Sequence, residues 1–178
     1  PETIPLSKRK GKMFSEILDS RIIKDSLTTS IMGCNVHYFP SIDSTMNEAL
    51  KLALGNAPEG TLVVADEQTL GRGRFNREWI SPPNSNLYLS LILRPSRENA
   101  SKLAVMSSIA LAHAITITSR NNLSVSIKWP NDVQVGARKI GGILIEGALN
   151  DGSTYRGFSI IGIGVNVNID PNQHSAIK

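Results

Sequence analysis

Strand-like runs in this chain outnumber helix-like ones and do not alternate with them one for one. That pattern restricts the fold more than any other feature of the sequence. "CNVHYFP" (34–40) reads as a strand stopped by Pro40, and "GTLVVADEQ" (60–68) and "SNLYLSLILR" (85–94) read as two more. "SVSIKWP" (124–130) is a strand that ends at Pro130, and "DVQVGARKIGGILIEGAL" (132–149) is a hairpin whose Gly136-Ala137 pair suits a type II′ turn. "TYRGFSIIGIGVNVNI" (154–169) is a last strand, apolar first and then broken by glycines. Against these stand a short helix around "FSEILDSRI" (14–22), a helix over "STMNEALKLALG" (44–55) and one long core helix within residues 98–120. Thr45 and Glu48 have capping-box spacing and Gly55 ends the second helix. The third places Leu103, Met106, Ile109, Ala110, Ala112 and Ile115 at roughly helical intervals. About six strands with two or three helices predict an α+β fold with a mixed or antiparallel sheet flanked by helices, not a doubly wound α/β fold.

The chain has 178 residues, 40% of them hydrophobic and 19% charged, which suits one globular domain with a true core. Its net charge of +4 is unevenly spread. Lys8, Arg9, Lys10 and Lys12 against Glu2 put +3 in the first twelve residues and leave +1 for the rest. A basic tail of this kind is ordinarily a solvated end. A nearly neutral body with one basic loop fits a small anionic ligand better than a polyanion, so nucleic acid is not the expected partner. The single cysteine, Cys34, allows no internal disulfide and points to a reducing cytoplasm. The opening "PETIPLSKRKGK" lacks the apolar region of a secretory signal, and no apolar run nears the roughly 20 residues of a membrane span.

The basic loop is "DEQTLGRGRFNREW" (66–79), where Arg72, Arg74 and Arg77 are separated by Gly71 and Gly73. Glycine lets a backbone approach a ligand closely. Arginine offers planar paired donors that match carboxylate and phosphate oxygens. The alternative is a solvated basic loop. Three other polar clusters interrupt or end apolar strands. In "KWPNDV", Lys128, Asn131 and Asp132 sit at a strand exit stiffened by Trp129 and Pro130, either as an ordinary turn or as a corner that orients a phosphate. In "ARKIGGILIEG", Lys139 precedes Gly141 and Gly142, and glycines inside a strand mark a bulge or a close approach. In "GIGVNVN", Asn166 and Asn168 share one face by strand periodicity and point to a wet site or to solvent. Ser44-Thr45 opens a helix, as a cap or as donors to a ligand. The phosphate-loop, dinucleotide, zincin and nucleophile-elbow motifs are missing, and His37, His113 and His174 are scattered.

Taken in order, "DSTMNEA", "DEQTLGRGRFNREWISPPNSNLYLSLILRP", "IKWPNDVQVGARKIGGILIE" and "GIGVNVN" resemble the catalytic domain of the biotin–protein ligases, over about residues 36–170. The resemblance implies a mixed sheet related to class II aminoacyl-tRNA synthetases. It implies that biotin and ATP are joined, with Mg²⁺, into biotinyl-5′-AMP, and that biotin then passes to a lysine of a biotin carboxyl carrier domain. By the motifs, Ser44, Thr45 and Gln68 would bind the ureido head of biotin, with backbone from Gly71, Gly142 and Gly164, and Gly73 beside them. Arg72 and Arg74 would lie over the biotin tail and the adenylate phosphate, with Trp79 as a wall. Arg77 and Asn131 would contact the triphosphate, and Asn166 phosphate or magnesium. Lys139 would be the catalytic lysine, and no protein side chain is implied as a resident metal ligand. Family members often pair as homodimers through the sheet. The chain departs from the pattern at Met46, where the family commonly has asparagine, with Asn47 next.

The expected division is a basic extension over residues 1–35, too short for a winged-helix repressor domain, and a catalytic domain over 36–178. That domain is expected to be incomplete where the family continues into an adenine-covering segment. Two other functions compete. A lipoate or octanoate transferase would carry an Arg-Arg and triple-glycine motif with a His-Asp pair, which this chain lacks. A non-catalytic biotin-responsive or nucleic-acid-binding regulator would rely on the basic tail and show steep salt dependence.

Overall fold

The computed structural model describes residues 19–147 and 157–169. In chain order its elements are α1 (Ser20–Ser26), β1 (Asn35–Phe39), α2 (Thr45–Leu54), β2 (Thr61–Ala65), a single 3₁₀ turn (Arg74–Asn76), β3 (Asn86–Leu93), α3 (Arg97–Ala100), α4 (Leu103–Thr118), β4 (Val125–Lys128), β5 (Asp132–Val135), β6 (Arg138–Glu146) and β7 (Ser159–Asn166). The strands form one seven-stranded sheet in the order β1-β2-β3-β7-β6-β5-β4. Only β1 and β2, joined through α2, run parallel; every other pair is antiparallel. The fold is therefore α+β with a mixed sheet, as the strand-rich pattern predicts, and its seven strands fall in the four single runs, the two arms of the hairpin and the last run read from the sequence.

Three expectations about the helices need correction. The described helix near the start runs Ser20–Ser26, because the Asp19 side chain accepts from the Ile22 N–H at 2.8 Å and sets the boundary. Residues 14–18 of the expected helix lie outside the described residues. The capping box on α2 does not form: Ser44 is the N-cap, and the Thr45 hydroxyl is drawn into the interior by Gln68 and Ser90. The long core helix is divided into α3 and α4, and α4 is core on one side only. Leu103 and Leu111 pack inward, whereas Met106 and Ile109 are 58% and 55% exposed. A helix apolar on nearly all sides does not announce which stripe the sheet will cover.

The sheet separates two apolar layers. On one face α2 sets Met46, Ala49 and Ala53 against Val63, Ile92, Phe158 and Ile160. On the other, Leu103 and Leu111 meet Ile143, Ile145, Ile161 and Ile163. The two-residue alternation of β6 and β7 dictates this split. Ile161 and Ile163 face α4, so Gly162 and Gly164 face the α2 side. Beyond the end of α2, the glycines of β6 and β7 floor a hollow on that face.

Candidate active site

The hollow is a cleft enclosing about 470 Å³ of empty space, its open mouth included. Ser44, Thr45, Gln68, Arg72, Gly73, Arg74, Trp79, Asn131, Lys139, Gly142 and Gly164 all line it. Those residues come from the basic loop, the three strand clusters and the Ser44-Thr45 pair, brought together by β3-β7-β6 pairing and by the 20-residue connection between β2 and β3. Gly71, Arg77 and Asn166 are outside its wall. Arg77 is exposed on the loop, and the Asn166 amide donates to the Lys139 carbonyl at 3.3 Å. Asn168 lies beyond the end of β7 and is exposed, so the strand periodicity that paired it with Asn166 has already stopped.

One end of the cleft is buried and uncharged. Gln68 Oε1 accepts from the Thr45 N–H at 2.9 Å and from its hydroxyl at 3.0 Å, while Gln68 Nε2 donates to Ser81 Oγ at 3.0 Å. Ser90 Oγ donates to Thr45 Oγ1 at 2.9 Å, so the Thr45 hydroxyl is fixed from both sides. Ser44 Oγ is buried at the same end without a partner among the described residues. An orphan hydroxyl in a cleft wall is a group whose cost a ligand can remove. Met46 and Gly162, which the sequence reading left out of the site, complete this end. A Cβ on Gly162 would lie 2.6 Å from Met46 Sδ, so the glycine is what lets the thioether fit under the head of the cleft.

The floor is a cross-strand pair, Gly142 opposite Gly164, with the Trp79 indole laid over it. A Cβ would stand 2.9 Å from the indole at Gly142 and 2.5 Å at Gly164, both inside contact distance. Close approach of a side chain is therefore the physical reason for these two strand glycines. Trp79 Nε1 is buried and has no partner among the described residues, a second orphan on the wall.

The other end is cationic and half exposed. Lys139 Nζ is 2.7 Å from Asp132 Oδ1 and 5.0 Å from the centre of the Trp79 ring. Arg72 Nη2 reaches Asn47 Oδ1 at 2.8 Å and Glu146 Oε2 at 3.2 Å. Arg74 Nη1 donates to Asn131 Oδ1 at 2.7 Å, and Asn131 Nδ2 donates to the Ile143 carbonyl. The loop that carries the arginines is itself a small hairpin, closed by Trp79 N–H to the Gly71 carbonyl at 2.9 Å and Gly73 N–H to the Arg77 carbonyl at 2.7 Å. Gly71 stays off the cleft because it packs under that hairpin, where a Cβ would lie 2.3 Å from the Trp79 carbonyl oxygen. Glu146, Ser81 and Ser90 were not singled out by the sequence, and Asn47 only as the residue after Met46, since each joins the site through a partner far away in the chain.

A strand-floored cleft with neutral donors at one end and three cations at the other has the polarity to suit a ligand with a polar, uncharged head and an anionic tail. A model of the biotin/lipoate A/B protein ligase family matches residues 38–166, and the chain belongs to that family. It is 39% identical over 169 residues to the bifunctional ligase/repressor BirA of Bacillus subtilis (strain 168), covering 94% of this chain and 49% of that protein. It is 37% identical over 129 residues to the biotin--[acetyl-CoA-carboxylase] ligase of Paracoccus denitrificans, covering 71% of this chain and 51% of the relative. Among solved structures it resembles the biotin protein ligase from Aquifex aeolicus in complex with biotin and ATP, at 34% identity and a TM-score of 0.63 over 76% of this chain and 53% of that one. It also resembles the Leishmania major enzyme in complex with biotinyl-5-AMP, at 31% identity and a TM-score of 0.65 over 78% and 59%. The chain spans about half the length of the curated relatives it matches.

Proposed function

We propose that this chain carries the catalytic centre of a biotin–protein ligase, which makes biotinyl-5′-AMP from biotin and ATP and then transfers biotin to a lysine of a carboxyl carrier domain. The observation that supports this best is the polarity of the one cleft: Ser44, Thr45 and Gln68 at the buried end, Arg72, Arg74 and Lys139 at the open end. A ureido head needs fixed neutral donors and acceptors, and the orphan Ser44 hydroxyl is a natural partner for it. The valeryl tail would run along the Trp79 indole that covers the Gly142–Gly164 pair. Its carboxylate would then emerge among the cations, with the α-phosphate beside it.

In the first step a carboxylate oxygen attacks the α-phosphorus, and the bond from that phosphorus to the pyrophosphate oxygen breaks. Two anions must meet, so the barrier falls when fixed cations neutralise both. Lys139 would bridge them, and Arg72 and Arg74 would hold the phosphate. In the second step the carrier lysine's amine attacks the mixed-anhydride carbonyl, and AMP departs with the electron pair of the acyl–oxygen bond. Neither step needs a protein nucleophile. Asn131 would reach the nucleotide through its hold on Arg74, and Arg77 and Asn166 from outside the cleft wall. Among the described residues no group of three or more His, Cys, Asp or Glu side chains could hold a metal. These residues do not make a cage for Mg²⁺, which would enter on the nucleotide's own phosphates.

The catalytic unit is assigned to residues 36–178 and the basic extension to 1–35. The proposed compartment is the cytoplasm, and no described helix is long and apolar enough to cross a membrane. Among the described residues the edge strand β4 has one sheet neighbour, which leaves its other side open to a second copy. The test is calorimetric titration with biotin, then with ATP and Mg²⁺, while pyrophosphate release is followed. Biotin binding with biotin-dependent pyrophosphate release is the expected result. A chain that binds lipoate in preference to biotin would overturn the substrate.

A further inference from the structure

Asn47 stands where α2 leaves the cleft, and its amide works in two directions. Nδ2 donates to Asp43 Oδ2 at 2.7 Å, and Oδ1 accepts from Arg72 Nη2 at 2.8 Å. An amide satisfies both partners in one orientation only, so Asp43, by taking the NH₂ group, aims the carbonyl oxygen at Arg72. Asp43 is held in turn, since its Oδ1 accepts from the Ser44 N–H at 2.6 Å. The Asn47 hydrogen bond keeps the Asp43 carboxyl below the usual carboxylate value, with help from that N–H and from the Arg72 charge. On the far side the same Arg72 Nη2 meets Glu146, the last residue of β6. Carboxylate, amide, guanidinium and carboxylate thus form one chain from the start of α2, through the arginine loop, to the sheet. Only Nη2 of Arg72 is engaged among the described residues. Its Nη1 and Nε remain as donors for the cleft that Arg72 lines.

We propose that Asn47 and Glu146 are positioning residues that anchor one nitrogen of Arg72 and leave the other two presented to an anionic ligand before it arrives. Neither residue lines the cleft, so both act through Arg72. The inference rests on the proposed function for the identity of the anion, but the clamp itself does not. A guanidinium ordered in advance loses less freedom when the ligand binds. Asn47 is exposed and Glu146 is partly exposed, so both can be changed without opening the core.

The experiment uses Asn47→Ala, Glu146→Gln and the double variant of the full chain, with two ligands: a phosphate-bearing biotinyl-AMP analogue and biotin alcohol, which has no anionic group. Each single change should weaken the charged analogue by about twofold to fivefold, the range of an exposed charged pair, and leave biotin alcohol unaffected. Without ligand, trypsin should cut after Arg72 faster in both variants than in the parent, because the side chain is no longer held. Equal weakening of both ligands would mean a merely structural role and would overturn the inference, as would unchanged affinity for the charged analogue. A parent chain that binds neither ligand would overturn the proposed function and the ligand-directed part with it. Parent-like cleavage in every variant would overturn the clamp whatever the binding shows.

Discussion

The two ends of the cleft are built on opposite plans. At the neutral end Ser44 and Thr45 are 1% and 3% exposed, and each Gln68 amide atom has a partner. At the cationic end the Arg72 and Lys139 side chains are 37% and 40% exposed, each held by a single carboxylate. The physics of desolvation explains the contrast. A hydroxyl or an amide can be buried cheaply if its hydrogen bonds are made, whereas a buried cation without a partner is costly. An apolar-walled pocket for a neutral head can therefore be finished before the ligand comes. On the proposed function, charges for a ligand's anions wait near water, with Glu146 holding one nitrogen of Arg72 and Asp132 paired with Lys139 until those anions arrive.

Four changes would break or sharpen this contrast. The largest effect is expected from Lys139→Ala. We predict that adenylate formation falls by roughly 10²- to 10³-fold, the loss typical of one electrostatic donor to a transition state. The melting temperature should stay near the parent's, because Lys139 is half exposed. Near-normal turnover by rapid-quench measurement would remove Lys139 from the chemistry. Next comes the floor. Gly164→Ala places a methyl 2.5 Å from the indole, so it should destabilise the fold by about 1–3 kcal/mol and shift the Trp79 fluorescence. A variant with parent-like melting and emission would show that the indole does not rest there.

Gln68→Ala should cost about 1–3 kcal/mol in chemical denaturation, since it strips the Thr45 N–H and the Ser81 hydroxyl of a buried partner. It should also weaken biotin alcohol as much as biotin, in contrast to changes at the cationic end. The smallest effect concerns Asp43. Its carboxyl is held below the ordinary 3.8, chiefly by Asn47, so the stability it adds is complete above that value and disappears as pH falls through the lowered one. A carbon-13 titration should find Asp43 still ionised at pH 3.8, and Asn47→Ala should raise its midpoint. A midpoint at or above 3.8 in the parent would count against the amide's orientation.

How much of this could be read in the sequence follows the range of the forces involved. Strand alternation and turn chemistry are local, so the sheet, the Gly136-Ala137 turn and the four polar clusters were legible. The family motifs made most of the cleft wall legible too. What stayed hidden depends on distant pairings. Arg72 and Glu146 are 74 residues apart, and Thr45 and Ser90 are 45 apart, so no local pattern joins them. The same reason accounts for the capping box: a Thr-x-x-Glu spacing is a local offer, and Gln68 made a better one from across the fold. The glycines were legible as close approaches, but not the identity of what approaches, which is Trp79 at two of them and Met46 at a third.

The place of β7 in the sheet has a consequence for how the molecule comes into being. It is the last strand in the described chain, yet it lies between β3 and β6 and is the only strand that joins them. Until it docks, a nascent chain holds two separate half-sheets. Each ends in a long apolar strand whose backbone N–H and C=O groups are unpaired. Such a topology defers the strand pairing of greatest sequence separation, β3 with β7, until β7 docks, which favours slow folding and exposes the intermediate to aggregation. The ligand cleft shares that fate. Its floor is the seam where the two halves are sewn together, so competence to bind should appear only once β7 has docked, and a ribosome-bound chain that has not yet emitted β7 should have none.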